Sequence, residues 1–150
     1  MRIISGYLKG KSLDYLKSSV TRPLKDLVKE SIFNVLTHSN LFNNLRIADS
    51  NVLDLYSGIG SFGLECISRG ANKIVFVEQD KNALNILNKN LLKLSIKNKA
   101  TIVSDKINNF LRKKISLGFE IIFLDPPFKD SKFLEELDNI NKKKIFKKTM

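Results

Sequence analysis

Between residues 51 and 124 the sequence alternates short, nearly all-apolar runs with segments of helical period, and no other feature constrains the fold as much. The runs are Val52-Leu53-Asp54-Leu55-Tyr56, Lys73-Ile74-Val75-Phe76-Val77-Glu78, Thr101-Ile102-Val103 and the stretch 119–124. Strands that are apolar at consecutive positions have both faces covered, which is the signature of a parallel sheet. Between them lie helical patterns. One of about ten residues starts at Ser61 and is ended by Gly70. A second is capped by Asp80 and carries Leu84, Leu87, Leu91 and Leu94. Shorter helices are predicted over 107–115 and 131–140. The class is α/β, with a mostly parallel sheet.

Residues 1–20 read as a basic arm or short β-hairpin bending at Gly6 and Gly10. Thr21-Arg22-Pro23 then opens a helix whose expected buried face is Leu24, Leu27, Val28, Ile32, Val35 and Leu36. The stretch 21–150 is read as one domain. Only 25 residues follow Asp125, so the fourth strand is expected to have one edge with little to pair with. The sheet is therefore expected to fall short of a full set of C-terminal strands.

The net charge of +11 points to a polyanionic partner, most plausibly nucleic acid, although Lys supplies 21 of the 26 basic residues, as a compositional bias would. Arg2, Lys9, Lys11, Lys25 and Lys29 are the candidate backbone-holding cations. No run approaches the roughly 18 apolar residues of a membrane span, and Met1-Arg2-Ile3-Ile4 lacks the apolar core of a secretory signal. A single Cys66 excludes an internal disulfide and fits a reducing cytoplasm. With one cysteine and one histidine, His38, no protein-ligated metal is expected. Cys66 reads as core, His38 as structural, and the chain as a monomer.

Two motifs carry chemistry. Gly58-Ile59-Gly60-Ser61-Phe62-Gly63 follows the first strand and opens a helix, and Glu78 ends the next strand. Glycines permit a sharp turn and close approach by a ligand, and a strand-end acid can receive ribose hydroxyls. Asp54 would repel a diphosphate but suit the cationic amino-acid end of S-adenosylmethionine. Asp105, after the third strand, is the candidate acceptor for an adenine amine. The second motif is Asp125-Pro126-Pro127-Phe128. The acid accepts one hydrogen of an exocyclic amine and the bare carbonyl of Pro126 a second. The prolines hold the backbone extended, and Phe128 offers a face for stacking.

With both motifs in view, the chain resembles the bacterial 16S ribosomal RNA guanine-N2 methyltransferase family over nearly its whole length. The matching residues begin with Arg2-Ile3-Ile4-Ser5-Gly6, Lys9-Gly10, Thr21-Arg22-Pro23 and Glu30-Ser31-Ile32-Phe33-Asn34. They continue through 52–58, Gly63-Leu64-Glu65, Ser68-Arg69-Gly70-Ala71, Val77-Glu78 and 125–128. The resemblance implies a seven-stranded Rossmann-like enzyme that uses S-adenosylmethionine to methylate the N2 amine of a guanine in 16S rRNA or the small ribosomal subunit. It implies cofactor roles for Asp54, Gly58, Gly60, Glu78 and Asp105. Asp125, Pro126 and Phe128 would be catalytic, with Arg2, Lys9, Arg22 and Pro127 on the substrate. Leu24 departs from the family, which usually has Thr after T-R-P. Three rivals remain from the residues alone: an adenine-N6 DNA methyltransferase, an NAD-dependent oxidoreductase and an inactive RNA-binding remnant.

Overall fold

The computed structural model describes residues 1–17, 25–40 and 45–147. Its elements run α1 (Asp26–His38), β1 (Asn51–Leu55), α2 (Ser61–Ser68), β2 (Lys73–Glu78), α3 (Lys81–Lys93), β3 (Ala100–Ser104), α4 (Ile107–Arg112), β4 (Ile121–Leu124) and α5 (Phe133–Lys142). The four strands form one sheet in the order β3-β2-β1-β4, and every pairing is parallel. The α/β reading is borne out, and its cause is visible in the burial. Alternate residues of each strand face opposite layers of helix. Val52, Ile74 and Phe76 pack against Leu64 and Ile67 of α2 and Leu87 and Leu91 of α3. Leu53, Leu55, Val75 and Val77 pack against Ile107, Phe110 and Leu111 of α4 and Ile140 of α5. The chain moves one way from β1 through β2 to β3, then returns to the other side of β1. Between β1 and β4 it therefore has a switch point, where open α/β sheets bind ligands.

The N-terminal arm is hairpin-like, closed by a single antiparallel bridge between Arg2 and Ser12. Its Gly6, at φ 82°, sits so close to the end of α2 that a Cβ would lie 1.9 Å from the Ser68 carbonyl oxygen. Several boundaries differ from the sequence reading. The start of α1 comes at Asp26, after an extended Lys25, and so later than the Thr21-Arg22-Pro23 opening, and β3 is one residue longer at each end. β4 starts at Ile121 instead of residue 119, because Phe119 turns aside to bridge Phe146. α4 stops at Arg112, three residues before its predicted end. α5 and β1 are displaced from their predicted limits by two residues or fewer. Among the described residues, no strand pairs with the outer edge of β4 beyond that bridge.

The face predicted for α1 is only partly right: Ile32 and Leu36 pack against the core. Leu27, Val28 and Val35 are exposed, whereas Lys29 and Phe33 are fully buried. Phe33 stacks on Phe62, with centroids 5.1 Å apart, and the Arg69 guanidinium lies over the Phe33 ring, 4.2 Å from its centroid. Lys29 reaches inward, donating to the Arg2 carbonyl at 2.7 Å and lying 3.6 Å from Glu65. Glu65, also fully buried, accepts the backbone N–H groups of Ile4 and Ser5 at 2.9 Å each and pairs with Arg69. Arm, α1 and α2 are thus joined by one buried polar network. Lys29 is consumed there and is not available to an RNA backbone.

Candidate active site

The loops that leave β1, β2 and β4 at their carboxyl ends enclose a cavity of about 390 Å³ at the switch point. Ser57 and Gly58 line one side, Glu78 to Asp80 a second, and Asp125, Pro126, Pro127 and Phe128 a third. Phe62 and Phe123 line it too, their rings stacked 3.9 Å apart and 9° from parallel. Tyr15 and Leu16 come in from the arm. The cavity bears four carboxyl groups (Asp54, Glu78, Asp80 and Asp125) and, among the described residues, neither Lys nor Arg. On a chain of net charge +11 that is a sharp local reversal.

Each acid is held differently. Asp54 points from the middle of β1 towards α2 and accepts the Gly63 N–H at 3.0 Å. Burial pushes its carboxyl up to about 8; the Gly63 hydrogen bond opposes this, and the charges of Asp125 and Glu78 add to it. Glu78 accepts the Gly58 N–H on Oε2, at 2.9 Å, and the Gln79 and Asp80 N–H groups on Oε1, at 2.8 Å each. A carboxylate offers about four acceptor positions, so about one is left for a ligand hydroxyl, on Oε2. Asp125 is exposed at the mouth, and partial loss of water raises its carboxyl. Phe128 is fully exposed, its ring free for a flat partner. Ser57 Oγ, buried on the cavity wall, has no hydrogen-bond partner among the described residues.

The glycines divide their work. Gly58 has φ 54°, and a Cβ there would meet nothing within 4 Å, so the cavity begins at its backbone. Gly60 does not line the cavity. At φ 84° it is held against α3, where a Cβ would come within 2.4 Å of Leu87. Gly60, named with Gly58 for the cofactor, packs closely on α3 in this structure. Gly63 similarly lies on Phe76, whose ring a Cβ would approach to 2.3 Å.

Asp105 lies in a second cavity of about 380 Å³ on the far side of Glu78, and Tyr56, Glu78 and Gln79 line both cavities. Its carboxylate already accepts from Lys113 (2.7 Å), Asn109 (3.1 Å) and the Lys106 N–H (2.8 Å). The Lys113 and Asn109 hydrogen bonds hold it below the usual carboxylate range. Arg2 and Lys9 are exposed and line neither cavity; Arg2 pairs with Asp26 at 3.5 Å. Arg22 and Leu24 lie outside the described residues. Tyr56 was read from the sequence only as a strand residue. Its φ of 58° is a left-handed conformation rare for an aromatic residue, and its hydroxyl lies 2.6 Å from Glu136 and 3.0 Å from Asp130. Nothing in the local sequence signals that contact, since both partners follow β4.

No helix of the described residues is long and apolar enough to cross a membrane. Among those residues, no cluster of three or more His, Cys, Asp or Glu side chains is arranged to hold a metal ion. The chain is 38% identical over 130 residues to the ribosomal RNA small subunit methyltransferase D of Haemophilus influenzae, covering 85% of this chain and 64% of the relative. The protein of the same name from Escherichia coli strain K12 is 36% identical over 140 residues, covering 93% and 66%. The chain thus spans about two thirds of the length of these relatives. Among solved structures, a candidate methyltransferase from Escherichia coli, yhhF, matches with a TM-score of 0.82 and 30% identity, covering 98% of this chain and 75% of that one. The resemblance and the Rossmann-like sheet read from the sequence are both borne out. Residues 1–150 match the family described as conserved hypothetical protein 95, and the chain belongs to that family.

Proposed function

We propose that this chain is a ribosomal RNA methyltransferase that uses S-adenosylmethionine and modifies the exocyclic N2 amine of a guanine in small-subunit rRNA. The observation that carries this reading is the acidic cavity. It brings the glycine turn, the strand-end Glu78 and the Asp125-Pro126-Pro127-Phe128 grip together, with four carboxyl groups and no basic side chain among the described residues. The rim acids Glu78, Asp80 and Asp125 would repel a diphosphate, which disfavours a dinucleotide, whereas a sulfonium bearing an ammonium group is attracted. Asp54, whose carboxyl burial pushes up to about 8, adds an acceptor more than a charge. The relatives named for small-subunit rRNA supply the substrate class.

The residues fit that cofactor. Asp54 and the open backbone at Gly58 would hold its amino-acid end, with the unpartnered Ser57 hydroxyl as a further contact. Glu78 would take a ribose hydroxyl, and Asp105 would stand at the adenine end, in the adjoining cavity. Bound there, S-adenosylmethionine supplies a methyl group already activated by positive charge on sulfur. What remains for the protein is mainly positioning. The carboxylate of Asp125 and the carbonyl of Pro126 would accept the two amine hydrogens, leaving the nitrogen lone pair free to face the donor. Phe128 would stack on the flipped-out base. Once methylated, the nitrogen is acidic, and its proton passes to Asp125 or to water at the exposed mouth.

Methyl incorporation into naked rRNA, small subunits and duplex DNA, followed by mass mapping of the labelled base, tests this reading. Methylated guanine N2 in rRNA is the expected product. Label in DNA adenine would replace the reading with an adenine-N6 activity. Asp125→Ala is expected to lower turnover by at least about 100-fold while cofactor affinity stays within a few-fold, because it removes an acceptor used only at the base. Retained turnover in that variant would remove Asp125 from the mechanism.

A further inference from the structure

We propose that Tyr56 is a positioning residue whose hydroxyl clamps the loop bearing Asp125, Pro126, Pro127 and Phe128 to the end of β1 through Asp130 and Glu136. The inference rests on the methyltransferase reading above for its functional consequence, and on geometry alone for the clamp. β1 and β4 are neighbours, with Leu55 opposite Leu124, so Tyr56 and Asp125 leave the sheet side by side. The loop after Asp125 makes a turn in which the Asp130 N–H donates to the Pro127 carbonyl at 2.8 Å. Asp130 also accepts the Lys132 N–H at 3.0 Å, just before α5. Tyr56 spans from β1 across this turn to Asp130 and to Glu136 on α5. One residue thereby ties the start of the glycine turn to both ends of the segment after the amine grip.

The proton count makes the contact specific. A tyrosine hydroxyl has one hydrogen, yet two carboxyl oxygens lie within hydrogen-bond distance. Glu136 is 1% exposed and its Oε2 has no partner among the described residues. Burial is the main cause raising the Glu136 carboxyl, and the hydrogen bond from Tyr56 opposes it. Asp130 is held low, chiefly by the Lys132 N–H and then by Tyr56. The one hydroxyl hydrogen therefore lies between Asp130 Oδ2 and Glu136 Oε1, and removing the hydroxyl releases both carboxyl groups. The left-handed backbone at Tyr56 aims the ring at this pair. Backbone outliers of this kind gather where a site needs a side chain held off its ordinary course.

The test uses the full chain with Tyr56→Phe, Glu136→Gln and Glu136→Leu. Hydrogen exchange at the Asp130 and Lys132 amides reads the clamp without any activity. In Tyr56→Phe it is expected to quicken about tenfold while exchange in β1 and β2 is unchanged. Calorimetry should give an S-adenosylmethionine affinity within about twofold of the parent. With rRNA, kcat should fall about 10- to 100-fold, the cost of an acceptor misplaced by a fraction of an ångström to an ångström, with little change in KM. Glu136→Gln, which can still bond Tyr56, should retain parental kcat within a few-fold, and Glu136→Leu should behave like Tyr56→Phe. Unchanged loop exchange in Tyr56→Phe, or unchanged kcat in an active parent, overturns the proposal. If the parent neither binds the cofactor nor transfers methyl, the methyltransferase reading fails, and the exchange data still decide whether the clamp exists.

Discussion

Two buried carboxyl groups on the same side of the sheet show how neighbours decide the state of an acid. Glu65 sits with two backbone N–H donors, Arg69 and Lys29 around it, so its oxygens are paired in the interior. Removing it as Glu65→Ala leaves Lys29 buried without a counter-charge and strands the N–H groups of Ile4 and Ser5. A loss of about 3–5 kcal/mol in denaturant unfolding is expected. Asp54 has one N–H donor and, among the described residues, no cation as a hydrogen-bond or ion-pair partner, so burial wins and its carboxyl is pushed up to about 8. The sign of the linkage follows. Below about pH 4 the group is protonated whether the chain is folded or not. As pH rises, the unfolded chain releases the proton first and the folded protein holds it, so stability falls. The slope is about 1.4 kcal/mol per pH unit between roughly pH 5 and 7 and flattens above about 8. Asp125 and Glu136 act in the same direction, while the lowered Asp105 and Asp130 act oppositely and only at more acid pH. Comparison with Asp54→Asn isolates the one residue: the variant should lose about one proton's worth of slope. Equal slopes in the two proteins would mean that Asp54 is already ionised when folded.

At the scale of elements, the glycine turn separates packing from binding, and two alanine substitutions should show it. Gly63→Ala drives a methyl group into the ring of the fully buried Phe76, so a loss of about 1–3 kcal/mol is expected by thermal unfolding, despite alanine's better helix propensity. Gly58→Ala touches nothing in the protein and costs about 1 kcal/mol for its left-handed backbone, but its methyl group enters the cavity. Cofactor affinity should fall at least about tenfold there, by calorimetry, and remain measurable in folded Gly63→Ala. The order of strands and helices from Asn51 onward was legible because covered parallel strands are written as unbroken apolar runs, and β2 was bounded correctly from Lys73 to Glu78. The rim acids were legible too, since residues at strand carboxyl ends have one place to go. The face of α1 was legible only at Ile32 and Leu36. Leu27, Val28 and Val35 mimic a buried stripe, but Phe33 and Lys29 are drawn inward by Phe62 and Glu65, partners in another helix that periodicity cannot see. Tyr56 was missed for the same reason, because its partners arrive only after β4. The close packing of Gly60 on α3 was not legible either, because a G-x-G-x-x-G pattern does not say which glycine faces a neighbouring helix.

For the whole molecule, the main fact is the separation of charge. The chain carries +11, yet the cavity at the switch point is lined by acids. A nucleic acid whose phosphates were drawn towards that rim would be repelled by it, so the backbone must be held elsewhere while a single base enters. The arm and the start of α1 offer cations for this, since Arg2, Lys9, Lys11 and Lys25 are all exposed. Lys29 is not among them. Each phosphate neutralised on a single strand adds about −0.7 to the slope of log affinity against log salt, so four such contacts give about −3. Titrating a guanine-bearing rRNA fragment by fluorescence anisotropy from about 50 to 200 mM KCl should give a slope at least that steep. The triple variant Lys9→Gln, Lys11→Gln, Lys25→Gln should flatten it by about 2. At saturating RNA its methylation rate should remain near the parental value, because none of the three lines the cavity. A shallow slope in the parent would show these lysines to be solvated surface alone. A triple variant with parental salt dependence would move the backbone contact to another face of the protein.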